Sequence, residues 1–389
     1  MTLLRRFVGV LALLLALAGC SGSADDDRPP ADRSVQVNRT SASSLPTAAE
    51  TFPAPSRSRL GGDLVRELQR ILDDAVAGGD SPDLAAAAVI STKGRWVGIA
   101  GRDLEGGALT AQTTFAIASI TKTFTAAEVL LLAERGQVDL DAPLSRYVDM
   151  PVTDLGATVR DALGMRSGIP DYLRTQVIDE LALRRDRRVT VDDMLSRVRG
   201  APSRPNVIFT YSNTNYLLLG QLIEEVTGMT YAAAIRRDLT SPLGLGGRIV
   251  AQDEQRPVPP LAPAAVRGRT RYLPNRALAS GTWAAGGMAS DAESVADWGY
   301  QLYGGRVLNP DSLQAMLPTS TGDYGLGTSS TRLTEHGLMV VGHQGDLPGA
   351  SSVLAVQRDS EVSIAVLANR RGVRVDLLMD TIATALLTR

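Results

Sequence analysis

The sequence predicts an α/β domain in which strands from the two ends of the chain meet around a long, mostly helical insertion. Two observations carry this prediction. A helix pattern and two strand patterns open the globular region, and three strand patterns followed by a helix pattern close it. The stretch between them shows short helical segments and loops, so we expect the terminal elements to form one layered unit.

Residues 1–19 are predicted to be a lipoprotein signal peptide. A basic start precedes an apolar run over 7–18 that is too short for a spanning helix. The run ends in Leu17-Ala18-Gly19-Cys20, which resembles a bacterial lipoprotein signal and predicts lipidation of Cys20, the only cysteine. The chain would then be exported and lipid-anchored to the outer face of the cell membrane. The alternative is an ordinary secretory signal with an incidental cysteine, and the export route, general secretory or twin-arginine, stays open.

Residues 20–58 are predicted to be the lipidated cysteine and a disordered tether. The stretch is rich in Ser, Ala, Pro, Asp and Arg and has few apolar residues, so it cannot bury a core. The globular domain is therefore predicted to span 59–389. The chain is 44% apolar and has a formal net charge of −2, which suits a large core and gives no electrostatic argument for a nucleic-acid partner.

The elements of this domain follow from periodicity and turn residues. Residues 60–77 have helical apolar spacing up to a pair of glycines. Residues 84–91 and 95–100 are strand-like around a Lys-Gly turn. The insertion runs from 139 to about 274, with its clearest helix over 217–226. The predicted C-terminal elements are strands over 337–342, 351–357 and 362–368 and a helix over 375–387.

Residues 115–134 predict a helix that is apolar nearly all round and therefore buried. Its first part contains Ser119 and Lys122, which at i and i+3 share one face. Lysine is costly there without a partner or a task, and the chain has only two lysines among 40 Lys+Arg. A desolvated lysine can lose its proton, which arginine cannot. We therefore predict that Lys122 activates Ser119 as a nucleophile near a helix N-terminus; the alternative is a capping serine and a lysine that reaches solvent.

Two further signals lie where this layout needs them. Tyr211-Ser212-Asn213 is a polar loop before the helix over 217–226, and His343-Gln344-Gly345 follows an apolar strand. A buried phenol beside a lysine can shift towards phenolate and serve as base and then acid. The Asn213 amide can bind a substrate amide, and the strand end can offer a ring and a backbone N–H. Each signal alone is more typical of a turn or a surface histidine, whereas all of them together in this order predict a catalytic site.

This set of motifs resembles the serine β-lactamase and penicillin-binding protein superfamily, within it the branch of class C β-lactamases, DD-carboxypeptidases and related esterases. The resemblance covers about residues 60–387. Five connecting stretches are similar to family segments: 163–172, which contains Ser-Gly-Ile-Pro, 241–245, 285–290 followed by 296–298, 324–327, and 342–345 through 348–349. The resemblance implies a β-lactamase/transpeptidase-like fold, in which an antiparallel sheet is flanked by the terminal helices and an all-α subdomain is inserted.

The resemblance also implies acyl transfer. Ser119 would form an acyl-enzyme, while Lys122 and Tyr211 would share the base and acid roles. The backbone N–H groups of Ser119 and Asp346 would form the oxyanion hole. Asn213 would contact the substrate amide. Neither a metal nor a cofactor is implied.

The His343 segment departs from the family pattern. His343 would stand where many relatives carry a lysine, Gln344 replaces a small residue, and Asp346 puts a carboxylate beside the oxyanion strand. The Gln344 and Asp346 departures disfavour a substrate carboxylate. They weaken the expectation of penicillins or D-Ala-D-Ala peptides and strengthen that of esters or amides without a free acid.

Three functions therefore compete. The first is a cell-envelope serine hydrolase of the DD-carboxypeptidase/penicillin-binding or β-lactamase-like type, and the second is an esterase or amidase on envelope or lipid esters. The third is a non-catalytic binding lipoprotein, against which the complete motif set argues. The expected partners are a small-molecule or peptidoglycan-peptide substrate and a membrane reached through the lipid anchor; the sequence does not give the oligomeric state.

Overall fold

A computed structural model describes most of the chain after residue 50. The described residues are 51–77, 84–101, 110–153, 156–184, 187–203, 205, 208–252, 264–266, 269–271, 276–320, 322–334 and 337–387. The predicted signal peptide, Cys20 and the predicted tether up to residue 50 lie outside them.

The helices and strands alternate in blocks along the chain. The α-helices of the described residues are α1 (Gly62–Ala77), α2 (Thr121–Glu134), α3 (Val159–Leu163), α4 (Thr175–Leu183), α5 (Val191–Leu195), α6 (Asn213–Thr227), α7 (Tyr231–Ile235), α8 (Arg276–Gly286), α9 (Ala292–Tyr303), α10 (Pro310–Met316) and α11 (Val375–Leu387). The strands are β1 (Leu84–Ser91), β2 (Arg95–Gly101), β3 (Phe115–Ala116), β4 (Val250–Ala251), β5 (Ala264–Val266), β6 (Arg269–Arg271), β7 (Met288–Ser290), β8 (Ser329–Arg332), β9 (Met339–Leu347), β10 (Ala350–Gln357) and β11 (Val362–Ala368).

The main sheet joins the two ends of the chain. Its order is β2-β1-β11-β10-β9-β8, and every neighbouring pair is antiparallel. The N-terminal strand β1 pairs with the C-terminal strand β11, with Ala85 opposite Ala368. The predicted antiparallel sheet made from both ends of the chain is therefore confirmed.

The two faces of the sheet are covered by different helices, and β1 shows how its sequence permits this. Ala85 and Val89 pack in one core with residues of α1 and α11, such as Leu72 and Ile382. The alternate residues of the strand belong to the larger core that contains α2 and α9, where Phe124 stacks on Trp298 with ring centroids 4.0 Å apart. Since successive strand residues point to opposite faces, the unbroken apolar run of β1 from Leu84 to Ile90 suits a sheet buried on both sides.

Most predicted element boundaries agree with the structure. The helix predicted over 60–77 begins at Gly62, the strand predicted over 337–342 is β9 and continues to Leu347, and α11 has the predicted bounds. The edge strand β8 was not predicted. The insertion, expected to be all-α, also contains the short strands β4, β5 and β6. Of these, β4 forms a three-stranded sheet with β7 and β3, which lie outside the insertion.

The prediction that the globular domain starts at residue 59 is wrong. Phe52 is buried, with its ring 5.1 Å from that of Tyr300, and its backbone N–H donates to the Gly304 carbonyl. The Ser56 N–H donates to the Ser91 carbonyl at the end of β1. One aromatic residue and a few backbone hydrogen bonds thus hold residues 51–58 on the domain, although their composition resembles that of a linker.

None of the helices in the described ranges combines the length and the hydropathy that a bilayer-spanning segment needs.

Candidate active site

Ser119 lies in a tight turn at the start of α2. The helix predicted from residue 115 begins only at Thr121, because Phe115 and Ala116 pair with β7 and residues Ala118–Ile120 form a 3₁₀ turn. Ala118 has a positive φ of 47°, which is strained for a residue with a side chain. The turn presents Ser119 to a cleft of about 570 Å³, next to the N-terminus of α2.

Lys122 is fully buried below Ser119. Its Nζ lies 3.0 Å from Ser119 Oγ, 2.8 Å from Asn213 Oδ1 and 2.7 Å from the Ala285 carbonyl oxygen. Burial lowers the pKa of Lys122 to about 7, although the negative charge of Asp171 acts to raise it. A neutral amine has two N–H groups and one lone pair. It can therefore donate to Asn213 and Ala285 and accept the Ser119 hydroxyl proton.

A kink in α8 supplies one of these acceptors. Trp283 interrupts the helix with φ 35° and ψ −118°. The carbonyl oxygens that follow bind side chains of α2: that of Ala284 accepts from Thr125 Oγ1 at 2.7 Å, and that of Ala285 accepts from Lys122. The backbone distortion thus anchors the helix that carries the lysine.

Tyr211 is the second titratable side chain that contacts the Ser119 hydroxyl. Its hydroxyl donates to Ser119 Oγ at 3.0 Å. Burial raises the pKa of Tyr211 above its ordinary value, so the predicted shift towards phenolate is wrong. Desolvation penalises the anion of a phenol just as it penalises the cation of a lysine. Lys122 is consequently the better base of the pair, and Tyr211 can donate a proton.

Asn213 is held by a carboxylate that sequence analysis did not single out. Asp171 Oδ1 accepts from the Asn213 backbone N–H at 3.0 Å, and Oδ2 accepts from Asn213 Nδ2 at 3.1 Å. This fixes the amide so that Oδ1 faces Lys122. The predicted contact of Asn213 with a substrate amide remains a prediction, whereas its contact with Lys122 is present. Asp171 directly follows the Ser-Gly-Ile-Pro stretch, which was the available signal.

His343 lines the cleft as a neutral ring. Its Nδ1 lies 2.6 Å from the Gln344 carbonyl oxygen and can only donate to it, so Nε2 accepts from the Tyr324 hydroxyl at 3.0 Å. Burial and the charge of Lys122 lower the pKa of His343 to about 3. His343 therefore brings no positive charge to the place where a lysine was expected in relatives. Tyr324 is a second site residue that sequence analysis named only as part of a family stretch.

The end of β9 lies against the turn that carries Ser119. A Cβ atom on Gly345 would lie 2.7 Å from the Ile117 carbonyl oxygen and 2.8 Å from the Ala118 Cβ, so only glycine permits this approach. Ser119, Gly345 and Asp346 line one cleft. The oxyanion role of the Ser119 and Asp346 N–H groups remains a prediction from the resemblance.

The charged side chains that line the cleft, Asp346, Arg374 and Asp376, have protein partners. Asp346 accepts hydrogen bonds from Ser351, Arg371 and Gly372. No group of three or more His, Cys, Asp or Glu side chains that could hold a metal ion occurs among the described residues.

The chain is similar to a known protein family and to a curated protein. A protein-family model described as Beta-lactamase matches residues 68–388. Among curated proteins, the chain is 32% identical over 142 residues to Penicillin-binding protein 4* of Bacillus subtilis (strain 168). This match covers 35% of the chain and 30% of the relative, so the chain spans less than a third of that protein's length.

Two solved structures resemble nearly the whole described domain. A D-stereospecific amidohydrolase from Streptomyces sp. is 28% identical with a TM-score of 0.70, over 82% of this chain and 98% of that one. The D-amino acid amidase from Ochrobactrum anthropi SV3, complexed with L-phenylalanine amide, is 26% identical with a TM-score of 0.72, over 84% and 99%.

Proposed function

The chain belongs to the Beta-lactamase family of serine hydrolases, and from this premise we propose that it hydrolyses amide bonds through an acyl-enzyme on Ser119. The observation that carries the proposal is the position of Ser119 Oγ, 3.0 Å from both Lys122 Nζ and Tyr211 Oη. One neighbour can accept a proton and the other can donate one, which is what attack on an amide and departure of an amine require.

Acylation follows from these contacts. The Ser119 proton moves to the neutral Lys122 amine while Oγ attacks the substrate carbonyl. The carbonyl π electrons go to the oxygen, which would be held by the N–H groups of Ser119 and Asp346. Tyr211 then gives its proton to the leaving amine and regains one from the Lys122 ammonium. The C–N bond breaks and an ester on Ser119 remains.

Deacylation uses the same groups, with water as the attacking nucleophile and Ser119 Oγ as the leaving group. Lys122, again neutral, takes a proton from an incoming water, directly or through Tyr211. The hydroxide adds to the ester carbonyl, and the tetrahedral intermediate then expels Ser119 Oγ. Oγ recovers its proton from the Lys122 ammonium, so the free acid leaves and the site returns to its starting state.

The substrate class is narrowed by the charges at the cleft. His343 is neutral, and Arg371 is paired with Asp346. These features favour a neutral amide, as the similarity to two amidohydrolases of D-configured substrates also does. Neutral esters would suit the same cleft.

The second candidate function is a DD-carboxypeptidase or penicillin-binding activity, with β-lactamase activity as its faster-turnover form. It is favoured by the similarity to Penicillin-binding protein 4*. Both functions use the same acyl-enzyme, and they differ in whether the substrate has a carboxylate beside the reacting group.

We also propose a cellular location for the protein, on the basis of its N-terminal sequence. Export and lipidation of Cys20 would place the hydrolase at the outer face of the cell membrane. Labelling cells with a fatty-acid analogue tests this, because Cys20→Ser should abolish the label and release the protein.

Intact mass spectrometry tests the proposed function. Residues 43–389, which keep the packed segment 51–58, are incubated separately with D-phenylalanine amide, an activated short-chain ester and benzylpenicillin, with Ser119→Ala as control. Ser119-dependent hydrolysis of the amide supports the amidase. A persistent penicillin adduct without amide hydrolysis would favour the second candidate, and no Ser119-dependent reaction in a folded sample would refute both.

A further inference from the structure

One wall of the catalytic cleft combines the end of β9 with the segment that leads into α11. Ser119, Asp346, Ser351 and residues 372–376 line the same cavity. Asp346 and Ser351 face each other in the register of β9 and β10. The wall is therefore built from two sheet strands and the chain just before a helix, and it adjoins the nucleophile.

Three donors converge on the Asp346 carboxylate in this wall. Oδ1 accepts from Ser351 Oγ at 2.9 Å and from the Gly372 backbone N–H at 2.8 Å, and Oδ2 accepts from Arg371 Nε at 3.0 Å. Ser351 Oγ in turn accepts from the Val373 N–H at 3.2 Å. A guanidinium, a backbone N–H and a hydroxyl are what proteins use to bind a carboxylate. Here the bound carboxylate is the protein's own.

The other basic groups at the cleft are not available to bind a substrate carboxylate in place of Arg371. Among the described lining residues, Arg374 is the only lysine or arginine, and its Nε and Nη2 donate to Asp376 at 2.9 and 2.7 Å. His343 is buried in the cleft wall beside Tyr324, and burial lowers the pKa of its ring, so it is neutral. Lys122 lies at the base of the site and is occupied by Ser119 and Asn213. A substrate carboxylate would find each described cation beside the cleft already paired.

We propose that Asp346 is the specificity-determining residue of this hydrolase. Its side chain fills the carboxylate site formed by Arg371, Gly372 and Ser351 and so excludes substrates that have a carboxylate next to the scissile bond. This proposal rests on the proposed function, because it assigns the substrate class of the same site: neutral amides and esters.

The position of Asp346 explains why the effect should be large. The backbone N–H of this residue is the proposed oxyanion donor, so standard bond lengths place its carboxylate within roughly 7 Å of the reacting carbonyl oxygen. A substrate carboxylate near this point meets a like charge and no free cation, which gives specificity by repulsion. Since Asp346 and Arg371 are both about half exposed, at 47% and 45%, their replacement does not open a buried cavity.

The test uses the full chain and two substrates that differ only in the carboxylate. These are N-acetyl-D-alanyl-D-alanine and the same dipeptide with a C-terminal carboxamide. The readout is the ratio of kcat/KM for the acid to kcat/KM for the amide. Asp346→Ala empties the carboxylate site, and Asp346→Asn is the matched control that removes the charge but still fills it. The double variant Asp346→Ala/Arg371→Gln also removes the cation.

The wild-type protein should prefer the amide. Asp346→Ala should raise the acid-to-amide ratio by about tenfold, the size of effect expected from one charge contact. Asp346→Asn should raise it by only about threefold, and the double variant should fall back to the level of Asp346→Asn or below. An unchanged ratio in Asp346→Ala, or a full gain that persists without Arg371, would overturn the proposal.

If Asp346→Ala does not fold, the Arg371→Gln variant alone tests the proposal. It leaves the Asp346 charge uncompensated, so the ratio should fall by a further factor of about three; an unchanged ratio would overturn the proposal. If the wild-type protein hydrolyses the amide and the variants leave the acid-to-amide ratio unchanged, only this inference is refuted. A wild-type protein that shows no Ser119-dependent turnover of either substrate removes the proposed function as well.

Discussion

At the residue scale, the direction of a pKa shift favours one of the two neighbours of Ser119 as the base of the proposed reaction. Ser119 has two titratable neighbours at the same distance, Lys122 and Tyr211. Burial lowers the pKa of Lys122 to about 7 and raises that of Tyr211, because desolvation disfavours the charged form of each. The lysine is therefore partly neutral near pH 7 and the phenol stays protonated. Sequence reasoning found both residues and expected both to be buried, but it gave the phenol a shift towards phenolate, whereas desolvation raises the pKa of Tyr211.

Replacement of Lys122 by arginine should abolish acylation although the charge is kept. Arginine stays protonated, so the loss of the base should cost about 10³-fold in the acylation rate. In the unmodified protein the neutral fraction of Lys122 grows with pH, so kcat/KM should rise through a midpoint near pH 7. Stopped-flow rates with an activated ester measure both effects. Lys93→Arg, on an exposed turn, is the control, and an undiminished rate in Lys122→Arg would refute the assignment.

Asp171→Asn tests a positioning residue. The change removes one acceptor for Asn213 and the negative charge that opposes the lowering of the Lys122 pKa. The rate at pH 8 should fall about tenfold, and the midpoint of the pH profile should move to lower pH. Asp149→Asn is the control at an exposed carboxylate. A loss of rate with an unmoved midpoint would assign Asp171 a merely structural role.

At the element scale, the site depends on how closely β9 approaches the turn that carries Ser119. Ser352 on β10 donates to the Ile117 carbonyl at 2.8 Å, which ties the sheet to this turn. Gly345 allows the contact because it has no side chain. The sequence indicated a functional strand end at His343, but it could not show that the glycine touches the nucleophile turn.

Gly345→Ala should therefore damage catalysis more than stability. Its Cβ would lie 2.5 Å from Ser352 Oγ and under 3 Å from the turn, so β9 must move away. A displacement of this kind should slow acylation by about 10²-fold, while the free energy of unfolding should fall by about 1–3 kcal/mol. Acylation rates and urea unfolding measure the two effects. Gly247→Ala, in open space, is the control; equal rates in the two variants would show that the approach is not needed.

At the scale of the whole molecule, a segment with the composition of a linker packs against the domain. Phe52 contacts Tyr300, and Arg306 Nη2 donates to the Phe52 carbonyl at 2.8 Å. A chain that starts at residue 59 would lose these contacts. The composition of residues 20–58 hid the segment, since a single aromatic residue does not change the average of a long polar stretch.

Phe52→Ala should lower the free energy of unfolding by about 3 kcal/mol, because it removes a buried aromatic side chain. Urea denaturation followed by circular dichroism measures the change, and activity per folded molecule should stay the same. Arg57→Ala, at an exposed position of the same segment, should change stability by less than about 0.5 kcal/mol. A similar small effect of Phe52→Ala would mean that the segment does not contribute to the fold.

The sequence alone predicted the sheet formed from both ends of the chain and the buried helix α2. It also named the candidate site residues that the structure brings together at one cleft: Ser119, Lys122, Tyr211, Asn213 and His343. These features leave local signals, because periodicity follows burial and a lysine on an apolar helix is costly. The tertiary structure alone decided the start of α2, the role of Asp171, the neutrality of His343 and the pairing of Asp346 with Arg371. Each of these depends on contacts between distant parts of the chain and on the burial they create, which no local pattern records.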